Sequence, residues 1–173
     1  MNVVLTKYQK VTGIIVALLM LAGIGYVTLA PRPAAQQTGV VAIPAQTSSQ
    51  VEFGTYLPKS VQTKDYILDQ TSYVYDGTNK ILTYKLHSDD NSLTVTQQSY
   101  PDALIFDKLV GAMGPYSDID TRYGQATLTR PPSIKNGQTA VIKIQATLLF
   151  IKSEQDISDA TWRTVINALQ LNE

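Results

Sequence analysis

The sequence predicts an α+β fold in which an N-terminal transmembrane helix is followed by an antiparallel β-sheet packed by two helices. Three observations lead there. Twenty consecutive residues near the N-terminus carry no charge, several later stretches alternate apolar and polar side chains, and the last apolar stripe repeats at helical spacing.

The uncharged stretch runs from Val11 to Ala30. As a helix it would be about 30 Å long, the thickness of a bilayer hydrocarbon core. Lys7 and Lys10 precede it, and Arg32 is the first charge after it. The positive-inside bias then places residues 1–10 in the cytoplasm and everything after residue 30 outside the cell membrane. Tyr8 and Tyr26 lie near the two ends, at headgroup level. A cleaved secretory signal is the rival reading, but its apolar region is normally about 7–15 residues. Thr28-Leu29-Ala30 offers a small-x-small site, yet Pro31 follows directly and would resist cleavage. A single-pass signal anchor, with the lipid bilayer as partner of residues 11–30, is therefore expected.

Residues 31–50 are rich in Pro, Ala, Gln, Ser and Thr with one charge, which is linker composition. Within them Val40 to Ile43 is a candidate short edge strand. Residues 51–173 are long enough for one modest core and form the expected extracytoplasmic domain. A short strand, Ser72 to Tyr75, ends at the turn signal Asp76-Gly77. Ile81 to Leu86 puts Leu82, Tyr84 and Leu86 on one face, and Leu93 to Gln97 alternates in the same way. The polar run His87 to Ser92 between them makes this pair an antiparallel hairpin. A helix is expected from Pro101 to about Met113, with Leu104, Ile105, Leu109 and Met113 inward. Gly111 and Gly114 limit it.

After a strand from Gln125 to Arg130, Pro131-Pro132 and Asn136-Gly137 bracket a connection. Thr139 to Lys152 then reads as one long strand. Ala140, Ile142, Ile144, Ala146, Leu148 and Phe150 lie on one face, and Leu149 and Ile151 break the polar pattern of the other. The closing helix has the fullest signature. Ser158 is an N-cap, Asp159 suits the positive end of the dipole, and Ile157 with Trp162 forms a hydrophobic staple. Trp162, Val165, Ile166 and Leu169 make one stripe, expected on the sheet face of Ile142, Ile144, Leu148 and Phe150. Helices on one face of an antiparallel sheet are an α+β solution.

Tyr56-Leu57-Pro58, the hairpin of Leu82 and Tyr84 with Leu93 to Gln97, Tyr123 to Leu128, and the closing Leu148 to Leu169 together carry a resemblance. The domain resembles a family of bacterial extracytoplasmic domains that follow a single membrane span, often as the outer part of anti-sigma-factor-like or sporulation-associated proteins. The resemblance implies the fold above and no catalytic residue. The chain departs from the family in having Trp162 within the helix rather than a Trp before the final strand. A ten-residue cytoplasmic tail also leaves no space for a sigma-binding domain, so that role does not carry over.

Composition excludes several functions. The chain has no cysteine, which removes disulfides, thiolate chemistry and a lipoprotein anchor, and favours a bacterial origin. From Val51 onward eleven Lys and Arg face fourteen Asp and Glu, a net charge of −3 and no footprint for nucleic acid. His87 is the sole histidine, sits at a strand end beside Asp89 and Asp90, and has no nucleophile elbow near it. One histidine without cysteine argues against zinc. Ser117 to Arg122 and Asp89-Asp90-Asn91 are oxygen-rich turns without an EF-hand pattern. Neither a metal nor a cofactor is expected.

Eight of the ten tyrosines lie beyond residue 50. β-Rich domains favour Tyr, and exposed Tyr also suits recognition. Tyr100 to Tyr123 reads as a long connection with Gly and Asp loops, so Tyr100, Tyr116, Asp118, Asp120 and Tyr123 form the candidate interaction surface. The expected function is a non-catalytic binding, sensor or assembly module of the bacterial cell envelope, with an envelope protein as partner. The alternatives are a carrier of a lipid or small apolar ligand, and an envelope hydrolase. A cavity lined by Leu, Ile and Phe would favour the first, and acids clustered in a cleft the second.

Overall fold

The computed structural model describes residues 43–60, 65–101, 103–130 and 137–172. The expected tail, membrane span and first part of the linker lie outside the described residues, as do Pro131, Pro132 and Asn136. The side chain of Leu104 does too. Among the described residues no helix is long and apolar enough to cross a membrane.

A seven-stranded antiparallel sheet has the order β2-β3-β4-β8-β7-β6-β5. Its strands are β2 (Ile67–Asp76), β3 (Ile81–His87), β4 (Ser92–Ser99), β5 (Tyr116–Thr121), β6 (Gly124–Thr129), β7 (Thr139–Ile144) and β8 (Thr147–Ser153). A two-stranded ribbon joins β1 (Thr55–Pro58) to β9 (Leu169–Asn172). The helices are α1 (Ala45–Ser48), a single turn, α2 (Ala103–Ala112) and α3 (Asp159–Ala168).

The hairpin of β3 and β4 has the expected faces, with Tyr84 opposite Val95 and Leu86 opposite Leu93. At the Asp76-Gly77 turn the Asp76 carboxylate accepts from the Thr78 and Asn79 amides at 2.9 and 3.2 Å. Strand β2 is longer than expected because it continues through a register shift between Asp69 and Val74. There Ser72 Oγ accepts from the Lys85 amide at 2.8 Å, so a side chain replaces a ladder acceptor.

The expected single strand from Thr139 to Lys152 is instead two strands. Gln145 and Ala146 form a two-residue turn, with Gln145 at φ 54°, and Ile144 pairs with Thr147. A two-residue turn reverses the parity of the pattern. Ala140, Ile142 and Ile144 therefore share a face with Leu149 and Ile151, while Leu148 and Phe150 point to the other side with Lys143 and Val141.

The main core lies on the first of these faces. Leu68, Leu82, Tyr84, Leu93, Val95, Ile142, Leu149 and Ile151 meet Tyr56 and Leu57 of β1 and Trp162, Val165 and Ile166 of α3. Ile43, within the stretch of linker composition, is also buried in this cluster. The opposite face is covered as well. Lys143 Nζ sits 4.1 Å from the Tyr100 ring, and that ring packs on Phe106 of α2 at 5.5 Å between centroids. Leu109, Val110 and Met113 are buried, as are Val141, Leu148 and Phe150 on that side. The two longer helices thus occupy opposite faces of the sheet, not one face, which explains why β8 is apolar on both sides.

Candidate interaction surface

Gly114 takes φ 97°, a left-handed conformation that ends α2, and Pro115 follows. The chain then enters β5, one of the two edge strands of the sheet, β2 being the other. Ser117 to Arg122, expected as an acidic turn, is thus almost wholly strand. Ile119 is its one buried side chain, so β5 lacks the repeated apolar alternation that marks a strand in sequence. Tyr116, Asp118 and Asp120 share the opposite face and are exposed, Tyr116 by 61%. Thr127 Oγ1 donates to Asp118 Oδ1 at 2.9 Å, which fixes that carboxylate from the neighbouring strand.

The hydrogen-bonding edge of β5 can be read from one contact. Arg163 Nε of α3 donates to the Asp120 carbonyl at 3.0 Å, so the peptide groups of Asp120 point away from β6. In an antiparallel strand this orientation recurs every second residue. The N–H and C=O of Tyr116 and Asp118 therefore point outward too. Asn167 Oδ1 accepts from the Arg122 amide at 2.9 Å. Helix α3 thus caps the Asp120 to Arg122 end, and among the described residues nothing pairs with the Tyr116 to Asp118 end.

The five candidate residues do not form one patch. Tyr116, Asp118 and Asp120 are neighbours on β5, whereas Tyr100 is held under α2 by Lys143 and Phe106. Tyr123 serves the core face, packed edge-on against Tyr56 at 6.0 Å. Its hydroxyl and the Arg122 guanidinium both donate to the carbonyl of Leu169, the C-cap of α3. The sequence held no signal for that cap, because Arg122 and Leu169 are distant in the chain. Beside it lies a shallow depression of about 310 Å³ between Tyr56, Arg122, Tyr123, Gln145 and Leu171.

His87 ends β3, next to the edge strand β2, its Nε2 3.6 Å from Asp69 Oδ2. Partial burial raises the Asp69 carboxyl, but the Thr71 hydroxyl and amide, with His87, outweigh it and hold the group below the usual carboxylate range. The Asp69 carboxylate thus stabilises a bulge. Among the described residues no three His, Cys, Asp or Glu side chains come together in a way that could hold a metal ion. Comparison with protein-family models, with curated proteins and with solved structures gave no match.

Proposed function

We propose that this chain is a non-catalytic binding module, tethered to a cell membrane through residues 11–30, whose outer domain receives a partner protein at the β5 edge. The observation that carries the reading is the outward N–H and C=O of Tyr116 and Asp118 beside an exposed tyrosine. An open sheet edge is a template for an added strand, with backbone hydrogen bonds supplying affinity and alternate side chains supplying selectivity. The envelope setting rests on the uncharged segment and the flanking lysines, and the absence of cysteine suits a bacterial envelope. The family resemblance agrees with that setting but adds no residue to the site.

The test places a photoreactive residue at position 116 of the full chain in intact cells, with position 79, in the turn at the other end of the sheet, as control. Crosslinking to a discrete protein from 116 and not from 79 is expected. Equal labelling at both positions, or labelling of lipid alone, overturns the reading. Protease added outside the cells should digest the domain and spare residues 1–10; a protected C-terminus overturns the orientation.

A further inference from the structure

We infer, building on the strand-addition reading, that the β5 edge selects an extended basic segment of a different protein and disfavours a second copy of this chain. In antiparallel pairing, directly opposed residues place their side chains on the same face. A strand added to β5 would set one residue opposite Tyr116 and another opposite Asp118, both on the exposed face. Asp118 asks for Lys or Arg there, and Tyr116 for an aromatic or β-branched partner. Asp120 keeps its carboxylate on the same face although its carbonyl is taken by Arg163, so it can meet a second basic residue without a backbone bond. Because the strands run in opposite directions, the segment reads basic, any, basic, any, aromatic from its N-terminus. Antiparallel addition continues the pattern of every pair in this sheet.

A second copy is a poor occupant. Two β5 strands related by a twofold axis at Asp118 would set Asp118 against Asp118 and Tyr116 against Asp120. Like charges directly opposed are destabilising, and charged residues on an edge guard against self-pairing. The same carboxylates that repel a copy attract a basic strand. Thr127 adds to this by holding Asp118 Oδ1, so the carboxylate is oriented before any partner arrives.

The experiment uses the full chain and three synthetic peptides, patterned Lys-Thr-Lys-Thr-Tyr, Ser-Thr-Ser-Thr-Tyr and Glu-Thr-Glu-Thr-Tyr with identical flanks. Amide exchange at Tyr116 and Asp118 reports where each binds. The basic peptide should slow both amides and bind at least about fivefold more tightly than the neutral one, as two exposed ion pairs allow. That margin should shrink in high salt and disappear in the Asp118→Asn, Asp120→Asn double variant, whose denaturant midpoint should match the parent. Equal protection by the neutral and basic peptides overturns the charge selection but leaves strand addition standing. Protection by none of the three up to millimolar concentration overturns both. A parent chain that self-associates through slowed β5 amides overturns the exclusion of a second copy.

Discussion

Gln97 lies on the core face between Leu82 and Leu149 with no exposed surface, a polar side chain between two leucines. Its carboxamide oxygen accepts from the Tyr56 amide at 2.7 Å, and its nitrogen donates to the Tyr56 carbonyl at 2.7 Å. The side chain thus behaves as a strand partner for β1, and Tyr84 adds its hydroxyl to the same carbonyl at 2.8 Å. A neighbouring tyrosine is less well served. The Tyr73 ring packs 5.6 Å from that of Tyr84, but its hydroxyl is buried and finds no hydrogen-bond partner among the described residues. Burial pushes the Tyr73 phenol up to about 12. Since the folded value lies above the ordinary value of 10.0, the neutral form favours folding. That contribution is complete below pH 10 and lost as pH rises through about 12. Replacing Tyr73 by Phe removes an unsatisfied oxygen and leaves the ring. Stability at pH 7 should stay level or rise by up to about 1 kcal/mol, and the loss between pH 10 and 12 should lessen. Denaturant midpoints at pH 7 and pH 11 check both parts, and a clear destabilisation at pH 7 would mean the hydroxyl is paired.

At the scale of elements, α3 was legible as far as Ala168 because each of its signals is local, whereas Leu169, expected as the last residue of its stripe, is the extended C-cap that opens β9. Ser158 Oγ accepts from the Thr161 amide at 3.1 Å, Asp159 lies in the first turn, and Trp162, Val165 and Ile166 are buried. Its stripe meets the expected sheet face at Ile142 and Ile144 but then meets Leu149 and Ile151. The difference turns on two residues, Gln145 and Ala146. Neither is a usual turn residue, so the reversal was hidden inside an unbroken alternation, and the late apolar run was its only trace. Strand β5 was hidden for the opposite reason, having one buried side chain and therefore no period. Hence Tyr116, Asp118 and Asp120 could be named from sequence, whereas their place on a sheet edge could not. The capping groups Arg163 and Asn167 were missed because their partners lie on β5 and at its end, far away in the chain. Trp162 is wholly buried, and its Nε1 donates to Gln138 Oε1 at 2.8 Å. Trp162→Ala should therefore cost about 3–5 kcal/mol, while Ser158→Ala should cost only about 1 kcal/mol. Equilibrium denaturation of the two variants orders them, and an unchanged midpoint for Trp162→Ala would remove it from the core.

Across the whole molecule, the decisive pairing is the one between the two ends of the domain. Thr55 to Pro58 pairs residue by residue with Asn172 to Leu169. The pairing closes a loop that contains every strand of the large sheet. Such non-local contact is costly in entropy until much else has formed, and it belongs with folding in milliseconds to seconds. Several contacts converge on the closure. The Lys59 amide donates to the Ala168 carbonyl at 3.0 Å, Thr147 Oγ1 donates to the Gly54 carbonyl at 2.7 Å, and Arg122 and Tyr123 both donate to Leu169 O. Leu169 is fully buried in the main core, whereas Leu171 in the same strand is 42% exposed. Ending the full chain at Ala168 should therefore remove a core side chain, the ladder of β1 and the cap of α3 in one step. Loss of the Leu169 side chain alone is worth about 2–5 kcal/mol, a large share of the 5–15 kcal/mol typical of a domain. The truncated chain should lose its cooperative unfolding transition, while Leu171→Ser in the intact chain should keep it nearly unchanged. If the truncated chain unfolds cooperatively at the parent midpoint, the ribbon of β1 and β9 contributes nothing to stability, and the core formed by α3 and the large sheet is sufficient by itself.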